Sequence, residues 1–459
     1  MYNHCIGTTT AKAEKKHLML ESVALNSIRN VLSDSLIKQA CLAVDYDYRN
    51  RLLSPIVTVL HMVTAAIWPE ESFVASWQAF WSAVASRFPK LSGKSPSRAS
   101  VSKARNRLPL NLWNYIFERI SLLGQTNSRQ YDSWNGLRVV LIDGTCLSMP
   151  DTPELLSEFG TNNGRHGRGK YPLMKMVALS NCNTMTVIDY NLGRYDQSEI
   201  SLAWPLLEKL SKGDILVADR HFAAAHYYSR YYDIGIDFLT RIHQNMKISK
   251  IKRVWQYSQN DFVGWMKINP IYRRKDESLP TKVMVRFTQT VVYIRGKRKA
   301  IWLVSSLLDD SLYRATDIVK LYAKRWRIET LFRDVKVNFS AGVLRSQSVN
   351  GIKKEVAARL IAIDVLRIIM LEAALKNGVE PIRISFVGAV RTVLAFAPAL
   401  AIEPLWKLSS IYEAMLIQIA SQIVPERPGR NEPRAVRRET KHYPSLKTTR
   451  KEWRESYAA

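Results

Sequence analysis

The chain is short of the residues that build covalent or soft-metal frameworks. Its 4 cysteines in 459 residues are Cys5, Cys41, Cys146 and Cys182, with no CxxC pair among them. That scatter argues against a disulfide scaffold and a zinc knuckle, and free thiols are expected. Of the 8 histidines, His221 and His226 stand on different faces of any helix through them, which disfavours a helical metal pair. A metal site would therefore rest on oxygen ligands. Uninterrupted apolar runs are missing too. Residues 356–375 are strongly apolar but carry Arg359, Asp364, Arg367 and Glu372, so they read as a buried amphipathic helix, not a membrane span. The first twenty residues hold no apolar run of signal-peptide length before a small-residue cleavage site, and a cytoplasmic protein is expected. Negative charge is scarce: 40 Asp plus Glu against 67 Lys plus Arg leave a net +27. Such an excess favours a polyanionic partner, with nucleic acid ahead of an acidic membrane surface.

What is present, 47% hydrophobic residues in a long chain, allows two or three domains with a substantial core. Residues 1–130 read as a helical N-terminal domain, with amphipathic segments at 72–88 and 110–123. Between these lie Lys90, Lys94, Arg98, Lys103, Arg105 and Arg107 without an acidic residue, and Ser97 or Ser100 can cap a short helix ended by Pro109. This is either a helix-turn-helix-like DNA reader, with Lys103 and Arg105 as contacts, or a solvated basic loop and helix. From Leu137 the period changes to strand, then a hairpin turning near Asn181–Asn183, helix, buried strand and helix, an α/β order with room for mixed strand directions. Residues 131–244 form the first part of that core and 301–375 the second. They are split by a β-rich insertion at 245–300. Residues 376–424 are helical, and 425–459 are expected to form a basic, poorly ordered tail. The amphipathic helices at 355–376 and 405–422 suit either an interface or the core.

Three acids stand out. Asp143 closes the apolar run VVLID and Asp219 closes ILVAD, and ligands of α/β sheets gather beyond the carboxyl ends of parallel strands. An Asp-Gly turn and a helix cap are the plain alternatives. Glu329 lies in YAKRWRIETLFRDVK, residues 322–336. On one helix at about 100° per residue, Tyr322, Arg325, Glu329 and Lys336 share an arc of roughly 60°, beside an apolar stripe of Ile328, Leu331, Phe332 and Val335. Taken alone, the Arg325/Glu329 pair would be a solvated i,i+4 contact worth ~0.3 to 0.5 kcal/mol. Taken together, two strand-end aspartates and a helical glutamate can surround two hard cations, which relieve their mutual repulsion.

The order Asp143, Asp219, Glu329, the pattern Tyr322-x2-Arg325-x3-Glu329-x6-Lys336, and the text LIDGT with PDTPE, RWRIE and YPLMKMV resemble the insertion-sequence-four family of bacterial DDE transposases over about residues 135–375. The resemblance implies an RNase H-like mixed-sheet core interrupted by the β-rich insertion, with an all-α N-terminal domain and a helical C-terminal region. It implies that Asp143, Asp219 and Glu329 are catalytic and bind two Mg²⁺ or Mn²⁺ ions, and that Tyr322, Arg325 and Lys336 hold DNA phosphates. Trp302 is similarly placed to the family's base-stacking tryptophan, or is a core residue. Arg295, Lys297, Arg298 and Lys299 in the nearby turn would suit phosphates. The implied activity is phosphodiester hydrolysis and strand transfer at the terminal inverted repeats of a bacterial insertion sequence, cut-and-paste through a hairpin intermediate. The implied partners are double-stranded transposon-end and target DNA and a second copy of the chain in a synaptic homodimer, at the nucleoid and away from membranes. Two other readings remain open: a catalytically silent, transposase-derived DNA-binding protein, and an RNase H-like structure-selective DNA nuclease.

Overall fold

Aliphatic and β-branched runs bounded by polar turns set the strands of this protein, and capped amphipathic runs set its helices. The computed structural model describes residues 26–425 apart from 50, 68–75, 79, 83–94, 165–166, 170, 244, 295–296 and 340–343. Most of the amphipathic segment at 72–88, together with Cys5, Lys90, Lys94, Arg295, the side chain of Lys297 and the tail from 426 onward, lies outside the described residues.

The N-terminal helices are α1 (Asp34–Ala43), α2 (Pro55–Ile67), α3 (Arg98–Arg107) and α4 (Leu110–Ser128). As the sequence suggests, Ser97 caps α3 by accepting a hydrogen bond from the Ser100 amide. Then follow β1 (Leu137–Ser148), α5 (Pro153–Phe159), β2 (Leu173–Asn181), β3 (Val187–Arg194), α6 (Glu199–Leu207), β4 (Asp214–Ala218), α7 (Ala225–Ile234) and β5 (Asp237–Arg241). Next come β6 (Lys252–Ser258), β7 (Asp261–Lys267), α8 (Pro270–Lys275), β8 (Lys282–Ile294) and β9 (Lys297–Ser305). The remaining helices are α9 (Ala315–Ala323), α10 (Arg327–Arg333), α11 (Val349–Asn377), α12 (Phe386–Ile402) and α13 (Leu405–Ser421).

These nine strands form a mixed sheet in the order β3-β2-β1-β4-β5-β9-β8-β7-β6. β1, β2 and β3 pair antiparallel, β4 joins β1 and β5 in parallel, and the rest are antiparallel. The hairpin between β2 and β3 is an Asx turn: the Asn181 side chain accepts from the amides of Asn183 and Thr184, and Met185 takes a positive φ of 61°. Alternation along β1 and β4 sorts the core. Val139, Leu141, Ile215 and Val217 pack toward α4 and α11, while Val140, Ile142, Leu216 and Ala218 pack toward α6 and α7.

The insertion expected at 245–300 does not make a sheet of its own. β9 pairs with β5 through Leu303–Ser305, so β6 to β9 extend the core sheet. Long-range pairing of this kind has no signal in local sequence. The extension is anchored by Arg286, which is fully buried and donates to both oxygens of Asp261 (2.9 and 2.5 Å), to Asp310 (2.5 Å) and to the Tyr313 carbonyl (2.7 Å).

The choice between core and interface for 355–376 falls to the core: α11 runs for 29 residues and most of its side chains are buried, against α2, α4 and α13. Its charged residues are paired or bonded there. Arg359 donates to the Phe339 carbonyl (2.9 Å) and Glu355 (2.7 Å), Arg367 to Asp334 (2.7 Å), and Asp364 accepts from the Val187 amide of β3 (2.8 Å). Among the described residues, Cys41, Cys146 and Cys182 are free thiols, and no helix is long and apolar enough to cross a membrane.

Candidate active site

The parallel ladder of β1 and β4 runs from Arg138 opposite Asp214 to Leu141 opposite Val217. Two residues further along each chain stand Asp143 and Asp219, so both acids reach the same level at the edge where parallel pairing stops. Asp143 closes the apolar run but not the strand. β1 continues to Ser148, paired beyond this point only with β2, where Asp143 faces Ala178. What ends is the neighbouring strand. Asp219 caps the 3-10 turn Arg220–Phe222, accepting from the His221 amide (2.8 Å), with its other oxygen 3.1 Å from His221 Nδ1. The helix that follows, α7, begins at Ala225.

Burial pushes the Asp143 carboxyl up to about 6. The negative charges of Asp219 and Glu199 push the same way, against the Gly144 amide and Arg325. The Gly144 N–H donates to Asp143 at 2.8 Å.

The segment bearing the third acid is not one continuous helix. α9 ends at Ala323, Lys324–Trp326 tightens into a 3-10 turn, α10 follows, and Asp334–Asn338 widens into a π-turn. The tight turn directs Arg325 inward. Its Nη1 lies 3.5 Å from Asp143 Oδ2 and its Nη2 lies 3.2 Å from Glu329 Oε1. Asp143 and Glu329 thus meet across a single guanidinium, whose face also covers the Trp326 ring at 4.6 Å. Tyr322 is buried against this cluster, hydrogen-bonded to Arg325 and close to Asp219, and burial pushes its phenol up to about 12. Glu329 itself is 45% exposed.

Lys336 lies within the π-turn. Asp334, buried, is held by Arg367 from α11 and by Asn338. The half-buried ammonium of Lys336 neighbours Cys146, further along β1, and burial lowers its pKa. Arg325 bonds to both Tyr322 and Glu329, as a shared face requires, and Lys336 lies about two turns further on, beside Cys146.

Among the described residues, no group of three His, Cys, Asp or Glu side chains closes to metal-holding distance. Arg325 stands between two of the three acids, Asp143 and Glu329.

The other residues singled out in the sequence lie elsewhere. Trp302 is partly buried, edge-on to Phe262 with ring centroids 5.8 Å apart, which fits its core alternative. Arg298 and Lys299 are exposed near the start of β9, about 15 Å along the strand from its pairing with β5. Lys103 is exposed on α3. Arg105 turns toward the helical core, 3.5 Å from Ser346 and within electrostatic reach of Glu355 and Arg359. Two neighbours of the acids went unmarked in the sequence. Trp326, 62% exposed, could have been noticed as an aromatic residue inside a basic run. Glu199, the first residue of α6, belongs to no motif, yet its side chain lies directly over Gly144.

The sequence profile of the family described as "Transposase DDE domain" matches residues 134–365, just over half of the chain. Transposase InsG for insertion sequence element IS4, of Escherichia coli (strain K12), is 24% identical over 358 residues, covering 76% of this chain and 78% of InsG. The cryo-EM structure of the piggyBac transposase synaptic complex with hairpin DNA compares at a TM-score of 0.41 and 13% identity, over 90% of this chain and 87% of that one.

Proposed function

The chain belongs to the DDE transposase family, a family of metal-dependent enzymes that cut DNA and transfer strands, and from that premise we propose that Asp143, Asp219 and Glu329 are its catalytic acids. The observation that carries this reading is the shared level of Asp143 and Asp219 across β1 and β4, with Glu329 linked to Asp143 through Arg325. The run β3-β2-β1-β4-β5, an antiparallel meander continued by parallel strands, supports an RNase H-like core.

The acids suit a divalent cation. They are hard oxygen donors, and the raised pKa of Asp143, driven by burial and by like charges, marks a carboxylate short of positive charge. When bound, Mg²⁺ or Mn²⁺, two ions in this reading, would activate the attacking oxygen and stabilise the leaving one. The chain's own side chains do the positioning. Asp143 and Asp219 hold their carboxylates at one level. Arg325 keeps Asp143 and Glu329 from repelling each other and offers a planar fork that can transfer to a DNA phosphate. Tyr322 stays protonated at neutral pH and can donate to a phosphate oxygen. Lys336 supplies a point charge further along β1, suited to a phosphate some way from the cut. For a hairpin route, an unpaired base could stack on the exposed ring of Trp326 beside the acids or on Trp302, which is partly buried and edge-on to Phe262. The substrates in this reading are the terminal repeats of an insertion sequence and a target duplex. Coupled cutting at two ends suits two copies of the chain.

The test incubates linear DNA carrying candidate terminal repeats with the protein, with and without Mg²⁺, and maps the cut ends. Wild-type protein should cut at the repeat ends only with metal, and Glu329→Ala should bind the same DNA without cutting it. Undiminished cutting by Glu329→Ala would end the assignment of that residue.

A further inference from the structure

We propose that Glu199 is a fourth carboxylate of the metal-binding face, admitted beside Asp143 by the missing side chain at Gly144. The inference rests on Asp143 being a metal ligand, as argued above. α6 begins at Glu199, with Ser198 capping it through the Ser201 amide. The helix is fixed by Leu202, Ala203 and Leu206, which are buried against the same core as Val140 and Ile142 of β1. Its first turn is therefore held at the edge of β1, not free to wander.

At that edge the fit is tight. A Cβ on residue 144 would stand 2.5 Å from Glu199 Cδ and 2.7 Å from its Oε1, separations that carbon atoms do not adopt. Gly144 does not need its freedom for a positive φ, because it lies within a regular strand paired to Val177. The space its side chain would fill is occupied by a carboxylate. Successive residues of a strand face opposite ways, so Glu199 approaches the acidic edge from the α6 side while Arg325 approaches from the other.

The carboxylate has no hydrogen bond or ion pair among the described residues, and its charge is felt by Asp143 as a like charge. A glutamate at the first turn of a helix gains from the helix dipole wherever it points. That gain explains an acid at 199 but not its seat over a glycine beside another acid. A divalent cation would reverse the sign of that neighbourhood.

The experiment measures Mn²⁺ binding to the DNA-free protein, from the loss of the free-ion electron paramagnetic resonance signal. The variants are Glu199→Gln, Asp143→Asn, Gly144→Ala, Glu199→Ala and the Glu199→Ala/Gly144→Ala pair. Glu199→Gln should raise the Mn²⁺ Kd about tenfold or more, in the range lost with supporting ligands of metal sites. Gly144→Ala keeps every carboxylate but fills the space, so it should weaken binding in the wild-type background and have no effect once Glu199 is alanine. A purely structural role for Glu199 would not produce that coupling. Wild-type affinity in Glu199→Gln, with binding lost in Asp143→Asn, overturns the fourth carboxylate and leaves the Asp143 site standing. Wild-type affinity in Asp143→Asn removes the site and Glu199 with it. An undiminished Gly144→Ala effect in the Glu199→Ala background assigns the change to the backbone and likewise overturns the proposal.

Discussion

Replacing Asp143 by asparagine should make the metal-free protein more stable at neutral pH, although it removes a residue assigned to catalysis. The folded chain holds this carboxyl at about 6 against an ordinary value of 3.8. A carboxyl raised by folding is favoured in its protonated form. Its contribution is therefore full below the unfolded value and is lost as pH rises from about 4 to about 6. At 1.36 kcal/mol per pK unit the loss above that window is about 3 kcal/mol. Little of this is discounted for solvent screening, because the Asp143 side chain is only 18% exposed. Asparagine keeps the shape and stays neutral. In urea titrations with a chelator present, followed by tryptophan fluorescence, the variant should gain about 3 kcal/mol at pH 7.5 and only about 0.5 kcal/mol at pH 4. Mg²⁺ should narrow the difference by stabilising the wild type alone, by about 2.7 kcal/mol at a hundred times its Kd. Equal stabilities at both pH values, or a variant less stable at pH 7.5, would refute the claim that Asp143 sits in a destabilising acidic environment.

Other substitutions probe separate parts of the framework. Lys336→Ala should weaken binding to repeat-ended DNA and lower the slope of log affinity against log salt by about one, read from titrations at several salt concentrations. Arg367→Met strands Asp334 in the core and should cost about 3 to 5 kcal/mol in thermal or urea unfolding, much of it recovered when Asp334 is also replaced by leucine. Arg286→Met strands Asp261 in the same way. Amide exchange should then quicken in β6 to β8 and stay slow in β1 and β4, a pattern that uniform acceleration across the sheet would contradict.

The acids were legible in the sequence because each aspartate follows an apolar run long enough to be a buried strand. Since β1 and β4 are parallel neighbours, equal distances along them bring Asp143 and Asp219 to one level. The apolar stripe Ile328, Leu331, Phe332 and Val335 correctly gave the buried side of the third segment. It could not reveal the 3-10 and π turns, because these depend on partners outside the segment. Asp334 is held by Arg367, thirty-three residues on, and Arg325 is drawn inward by Asp143 from another element. The union of β9 with β5 rests on three residue pairs far apart in sequence, a contact no local pattern reports. Glu199 was missed because one acid at the start of a helix is ordinary; only the absent side chain at Gly144 gives it meaning.

The match to the transposase family profile stops at residue 365, halfway along α11. A polypeptide trimmed there would retain all three acids yet lose Arg367, together with Ile368, Ile369 and Met370, which lie within the interior. The edge of the profile match is thus not an edge of mechanical integrity. Anyone seeking a minimal nuclease from this chain must carry α11 whole, along with the α2, α4 and α13 segments that sheathe it.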